Sequence, residues 1–173
     1  MIDRELIEKA ESGSVDAIIS LGFAYYDRED GEENRGKAFE LYTRALELDP
    51  NNARAINNLG NCYNNGVGVE ENTDKAMELY RKAAELGYTN AQYNLADSLK
   101  KRNDPECLKW YLKAYKNWYV DAPYDIANIY NEGTIVPQDY QKYIEYLIKA
   151  DEIGNDSATL DLACAYLQGE HVE

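Results

Sequence analysis

One histidine and three cysteines are all that this chain of 173 residues holds of the side chains most used for metal and nucleophile chemistry. His171 stands near the end of the chain with no serine or cysteine placed beside it by any pattern, so no nucleophile and base are paired. Cys62, Cys107 and Cys164 lie 45 and 57 residues apart. An odd number at those intervals is neither a metal-ligand spacing nor a disulfide framework, and all three are expected to be reduced, buried small residues. Too few nitrogen and sulfur ligands remain for a tetrahedral or facial metal site, so neither a metal nor another cofactor is expected. Carboxylates are abundant, but they fall at helix-surface spacing, where a solvated acid is the ordinary state rather than a perturbed catalytic one. The chain reads as a protein that is not an enzyme.

Long apolar runs are missing too. The first fifteen residues, MIDRELIEKAESGSV, contain no continuous apolar stretch, and no segment approaches the ~20 residues that cross a bilayer. With 29% charged residues and a mean hydropathy of -0.66, the chain reads as a cytoplasmic protein with no membrane partner. Basic residues are the minority: eighteen Lys and Arg stand against thirty-two Asp and Glu, a net charge of -14. That balance opposes attachment to phosphate backbones and excludes nucleic acid as a partner. It suits a protein or peptide of neutral to basic character, although solubility alone also accounts for acidic excess.

What the chain does have is a repeat. One phrase runs alanine, an aliphatic four residues on, a small residue next, and an aromatic three further. Its copies are Ala17-Leu21-Gly22-Tyr25, Ala55-Leu59-Gly60-Tyr63, Ala91-Leu95-Ala96-Leu99, Ala122-Ile126-Ala127-Tyr130 and Ala158-Leu162-Ala163-Tyr166. A second phrase follows the first four copies: Ala38-Tyr42-Ala45, Ala76-Tyr80-Ala83, Cys107-Tyr111-Ala114 and Tyr143-Leu147-Ala150. Both have the 3.6-residue period of amphipathic helices, so each unit is helix, loop, helix. The small residues would let paired helices approach closely, and the aromatic stripe is core before it is a ligand surface.

The motif Leu-Gly-x-x-Tyr followed by Ala-x-x-x-Tyr resembles the tetratricopeptide repeat, but the period is near 36 residues rather than that family's ~34. Tyr63-x-x-Gly66-x-Gly68-Val69, then Lys75-Ala76-x-x-x-Tyr80-x-Lys82-Ala83-Ala84-x-x-Gly87, resembles the Sel-one-like repeat of the tetratricopeptide-like superfamily. Tyr130-x-x-Gly133-x-x-Val136 with Lys142, Lys149-Ala150 and Gly154 repeats the signature, and Tyr166-x-x-Gly169-x-x-Val172 begins it again. The resemblance covers essentially the whole chain. It implies an all-α fold, a right-handed α-α superhelix or solenoid of helix-turn-helix repeats, with a scaffold role.

On that frame residues 1–173 form a single solenoid: a capping helix at 1–13, repeats at about 14–51, 52–87, 88–118 and 119–154, and a partial repeat at 155–173. The departures are individual. The first unit replaces the Gly-Val loop with acid from Asp27 to Glu33, and Pro50 ends its second helix. In the third unit the loop shortens to Leu99–Pro105, where Asp104 can cap and Pro105 can enter the first helical turn. Glu40-Arg44, Glu78-Lys82 and Glu145-Lys149 are spaced as helix ion pairs of about 0.3 kcal/mol each, but the third unit has Lys109 and Lys113 instead. With Lys100, Lys101, Arg102 and Lys116 these make a basic segment. Trp118 stands where glycine is expected, and Tyr143 occupies a small-residue position that it would overpack unless a neighbour gives way. The unfinished fifth unit and the basic third are two candidate routes to self-association.

In tetratricopeptide-type solenoids the first helix of each unit lines the concave face, with exposed positions two before, two after and five after the aliphatic. Those offsets select Ile19, Phe23 and Tyr26; Asn57, Asn61 and Asn64; Tyr93, Asp97 and Lys100; Tyr124, Asn128 and Asn131. Asparagine both donates and accepts, so a row of them can pair with the backbone of an extended peptide. Tyrosine adds flat contact area. The candidate peptide-binding residues are therefore Phe23, Tyr26, Asn57, Asn61, Asn64, Tyr93, Asp97, Tyr124, Asn128 and Asn131. The function expected is a non-catalytic protein- or peptide-binding adaptor; the alternative is a structural spacer or oligomerisation segment of a longer multi-domain protein.

Overall fold

Helix starts along the chain are set by short polar side chains. Ser14, Asn52 and Asn155 each accept a hydrogen bond from the N–H of the alanine that opens the first phrase, Ala17, Ala55 and Ala158. Asn72 and Asp139 do the same for Lys75 and Lys142 at the start of second helices. The computed structural model describes residues 2–27 and 31–167, and among these it contains ten α-helices and no strand. They are α1 (Arg4–Glu11), α2 (Val15–Tyr26), α3 (Gly31–Leu48), α4 (Ala53–Asn65), α5 (Thr73–Glu85), α6 (Thr89–Lys100), α7 (Glu106–Lys116), α8 (Ala122–Glu132), α9 (Tyr140–Glu152) and α10 (Asp156–Leu167).

The chain divides into two compact units, Met1–Ala91 and Gln92–Glu173. In the first, α2 packs on α3 and α4 on α5, with α1 against α2 and α3 against α4. Its core is built from Ala10, Ile18, Ile19, Leu21, Ala38, Tyr42, Ala45, Ala55 and Cys62. Glycine at the small position is required here. A Cβ on Gly22 would come within 2.7 Å of the Tyr42 ring, and one on Gly60 within 2.7 Å of the Tyr80 ring. The rings of one helix thus lie directly on the backbone of its neighbour. The loop after α4 is held as closely: Gly68 has φ +70°, and a Cβ there would meet the Arg35 carbonyl oxygen at 2.4 Å. Only glycine satisfies both the angle and the contact.

In the second unit α7 packs on α8, α8 on α9 and α9 on α10. Ala127, Leu147, Ala150 and Ala158 are fully buried in its core. Tyr143 is accommodated without overpacking because the residue one turn on is Leu147, where the other second helices have Tyr42, Tyr80 and Tyr111; large and small positions are exchanged within α9. The short loop before α7 turns as expected, with Asp104 accepting from the N–H of Glu106 at 2.9 Å and Asn103 in the left-handed region. Trp118 also has a left-handed backbone, φ +65°, and its side chain is 87% exposed. Its counterparts Gly87 and Gly154 hold φ +90° and +85°. Trp118 therefore carries the strain that glycine avoids.

Some expectations are corrected. Cys62 and Cys107 are buried, but Cys164 is exposed, because it lies on a face of α10 that no described helix covers. Ala163 is exposed on the same face. Of the helix ion pairs, Glu145 and Lys149 form theirs. Glu78 pairs instead with Lys75 at 2.9 Å, while Lys82 donates to the Pro50 carbonyl and Arg44 to the Glu11 carbonyl. Most of the acidic loop from Asp27 to Glu33, and Gly169, His171 and Val172, lie outside the described residues or side chains.

Candidate protein-binding face

The first helices carry the predicted positions, and each unit builds them differently. In the first unit, α2 presents Phe23, 54% exposed, while Ile19 is fully buried in the core. The Tyr26 hydroxyl accepts from Asn65 Nδ2 at 2.6 Å, and Asn65 Oδ1 accepts from Asn64 Nδ2 at 2.8 Å, so an amide relay ties α4 to α2. Asn57 is only 2% exposed, and its Nδ2 donates to Asn58 Oδ1. Asn61 is partly exposed and accepts from the Tyr80 hydroxyl at 2.8 Å. The asparagine row is thus half inside the structure: Asn57 faces inward, whereas Asn61 and Asn64 sit at the surface with internal partners.

The second unit uses tyrosine and aspartate. Tyr93 donates to Asp125 Oδ2 at 2.8 Å, and Tyr124 donates to Asp161 Oδ2 at 3.0 Å. Each bond links one first helix to the next, α6 to α8 and α8 to α10. Tyr93 is stacked on Tyr119 with ring centroids 4.2 Å apart and meets Tyr111 edge-on. Lys100 lies 3.5 Å from Asp125, and Lys101 pairs with Asp97 at 2.8 Å. Burial pushes the Asp125 carboxyl above the usual carboxylate range, opposed by the Tyr93 hydrogen bond and by Lys100. Burial, followed by the Asp125 charge, raises the Tyr93 phenol. The Asn131 carbonyl accepts from Gln138 Nε2 at 2.8 Å.

Sequence reasoning missed Asp125 and Asp161. Both stand three residues after the alanine of the first phrase, the register that Asn58 fills in the first unit. A polar residue recurring there, beside the selected position, is the signal that could have found them. Tyr111 is core, as the second phrase implies, and its hydroxyl is buried with no hydrogen-bond partner. The basic segment is engaged within its own unit: Lys109 and Lys113 lie 5.3 and 4.1 Å from the centroid of the Trp110 ring, and Lys109 pairs with Glu106.

A cleft of about 340 Å³ lies elsewhere, between α1, α2 and α3, with an apolar floor of Ile7, Leu21, Tyr25 and Leu41 under Lys37 and Arg44. None of the predicted positions lines it. Among the described residues no group of His, Cys, Asp and Glu could hold a metal ion, and no helix is long and apolar enough to cross a membrane. Burial pushes the Cys62 thiol up to about 12 and the Cys107 thiol up to about 11, so both stay protonated at neutral pH.

Comparison with known proteins points one way. The family model described as Sel1 repeat matches residues 15–50, 53–88, 89–117 and 120–152. Among solved structures, the chain is similar to a protective antigen present in uropathogenic Escherichia coli strains that displays an SLR fold. The identity is 30% and the TM-score 0.85, over all of this chain and 38% of that one. It is similar to a Sel1 repeat protein from Oxalobacter formigenes at 24% identity and TM-score 0.81, over 93% of this chain and 67% of that one. MamA shares the fold at 21% identity and TM-score 0.63, over 90% and 86%. No curated protein matches. The chain spans little more than a third of the E. coli antigen.

Proposed function

Because the chain belongs to the Sel1 repeat family, an all-α class of helix-turn-helix repeat solenoids typically serving as protein-interaction scaffolds, we propose that it is a non-catalytic adaptor binding a protein or peptide along its first helices. The observation that carries this reading is the ordered row in the second unit. Tyr93, Asp125, Tyr124 and Asp161 are fixed by hydrogen bonds between successive helices before any ligand arrives. A face already ordered loses little conformational entropy on binding. Within the first unit, Phe23 is a large exposed ring at the register that Asn61 fills in the next repeat.

The partner is neutral to basic. Asp97, Asp125 and Asp161 lie on the face in a chain of net charge -14, and extended peptide backbone suits Asn61, Asn64, Asn128 and Asn131. The adaptor works in the cytoplasm, where the buried thiols of Cys62 and Cys107 stay reduced. A second reading, a spacer within a longer multi-domain protein, draws on the limited share of the E. coli antigen that the chain spans. The test is affinity capture from the native cell with mass spectrometry, comparing wild type with Phe23→Ala combined with Asp97→Lys. Both side chains are at least partly exposed, so the fold should persist. An adaptor loses its captured partners in the variant; an unchanged set of partners would sink the face as the binding site.

A further inference from the structure

The second unit builds one contact twice and completes it once. Tyr93 and Tyr124 each stand two residues after the opening alanine of a first helix, and Asp125 and Asp161 stand three residues after that of the next. The phenols donate to the Oδ2 atoms of the two aspartates at 2.8 and 3.0 Å, so the geometry recurs from α6 to α8 and from α8 to α10. Around Asp125 a third member closes the arrangement. Lys100 Nζ lies 3.5 Å from Asp125 Oδ1, the oxygen that Tyr93 does not use, and the two side chains are only 23% and 20% exposed.

Lys100 stands nine residues after Ala91, and the residue nine after Ala122 is Asn131. Asparagine is shorter and uncharged, so the second copy has the phenol and the carboxylate without the ammonium group. The rest of the unit does not make up the difference. Between Lys116 and Glu173 the sequence has two residues of fixed positive charge, Lys142 and Lys149. Lys142 pairs with Asp139 and Lys149 with Glu145, and among the described residues no cation pairs with Asp161. Of the three aspartates on this face, Asp97 is matched by Lys101 and Asp125 by Lys100. Asp161 alone keeps its charge to offer.

Asp161 is partly buried, and the Tyr124 hydrogen bond fixes one of its oxygens. A carboxylate held in that way, with part of its hydration already given up, attracts an ammonium group more strongly than a freely solvated one does. The neighbouring repeat shows which group fits beside such a pair, because it carries one of its own. We propose that Tyr124 and Asp161 form a subsite for a lysine side chain of the bound partner, whose ammonium group takes at Asp161 Oδ1 the place that Lys100 takes at Asp125. This rests on the reading of the first-helix row as the binding face, and adds which residue of the partner is read and where.

Nuclear magnetic resonance titration of the isotope-labelled full chain tests it, with an end-blocked pentapeptide holding one lysine among alanines as the probe. The backbone amides of Tyr124 and Asp161 should shift and saturate, and the norleucine counterpart of the peptide should leave them in place. Asp161→Asn keeps an oxygen for the Tyr124 hydroxyl but removes the charge, and should weaken the peptide about tenfold with unchanged circular dichroism. Asn131→Lys supplies the third member from the chain itself. It should compete with the peptide to a similar extent and raise the melting temperature by about 2 °C, a gain that adding Asp161→Asn removes. Absence of saturable shifts at Asp161, equal binding of the norleucine peptide, or binding that survives Asp161→Asn or Asn131→Lys would each overturn the proposal. Capture with the Phe23 and Asp97 variant reports on the face as a whole, so failure of that reading and failure of this subsite appear in different experiments.

Discussion

The two units solve one problem with different chemistry. At the register three residues after the opening alanine, the first unit has Ser20 and Asn58 and the second has Asn94, Asp125 and Asp161. Asn58 is buried, accepting from Asn57. Asp125 keeps a fifth of its side chain in water, with Lys100 beside it and Tyr93 donating to it. A neutral amide can be enclosed once its hydrogen bonds are met, whereas a carboxylate resists losing its hydration. The same register is thereby closed and neutral at Asn58 in the first unit, partly open and charged at Asp125 in the second.

The largest test of that contrast concerns the helix pairs beneath it. Gly60→Ala should cost about 2 kcal/mol by forcing the Tyr80 ring away from α4 and from Asn61, while Ala96→Gly in the second unit should cost about 1 kcal/mol through helix propensity. Urea unfolding followed by circular dichroism measures both; equal costs would mean that the close approach of ring to backbone is not a constraint peculiar to the first unit. Next come the hydroxyls. Tyr80→Phe removes a hydrogen bond to Asn61 and should cost about 1 kcal/mol, but Tyr111→Phe removes a buried hydroxyl that has no partner and should gain up to about 1 kcal/mol. Opposite signs in the same assay are the expected outcome.

Most of the fold was legible because the repeat states it many times over. The alanine, aliphatic and small positions mark the first helices, and the Ala-x-x-x-Tyr phrase marks the second. The candidate face was legible only as positions. Periodicity says that Asn57 and Asn61 share a helix face, but not that Asn57 is enclosed while Asn61 is held at the surface by Tyr80. That depends on how neighbouring helices meet. The ion pairs went astray for a related reason: Lys82 and Arg44 found backbone carbonyls on neighbouring segments, which helical spacing alone does not reveal. Cys164 was misjudged because it was read as a small core residue by type, although it stands two after the aliphatic Leu162, the register of the exposed Phe23 and the partly exposed Asn61, Asp97 and Asn128.

The smallest expected effect is a dependence on pH, and it separates the two units most directly. The Asp125 carboxyl is raised above its ordinary 3.8 by burial, so the folded second unit holds that proton more tightly than the unfolded chain does. This contribution to stability is fully present below the unfolded value and is lost as pH rises through the folded value. Asp125→Asn keeps an oxygen for the Tyr93 hydroxyl and removes the titration, so its melting temperature relative to wild type should rise from acid towards neutral pH. Thermal melts across that range measure the difference. An advantage that instead grows on acidification would mean that Lys100, 3.5 Å away, outweighs the burial. The reciprocal change, Asn58→Asp, puts a carboxylate into the more enclosed register of the first unit, and should impose there a steeper loss of stability with rising pH than Asp125 imposes in the second.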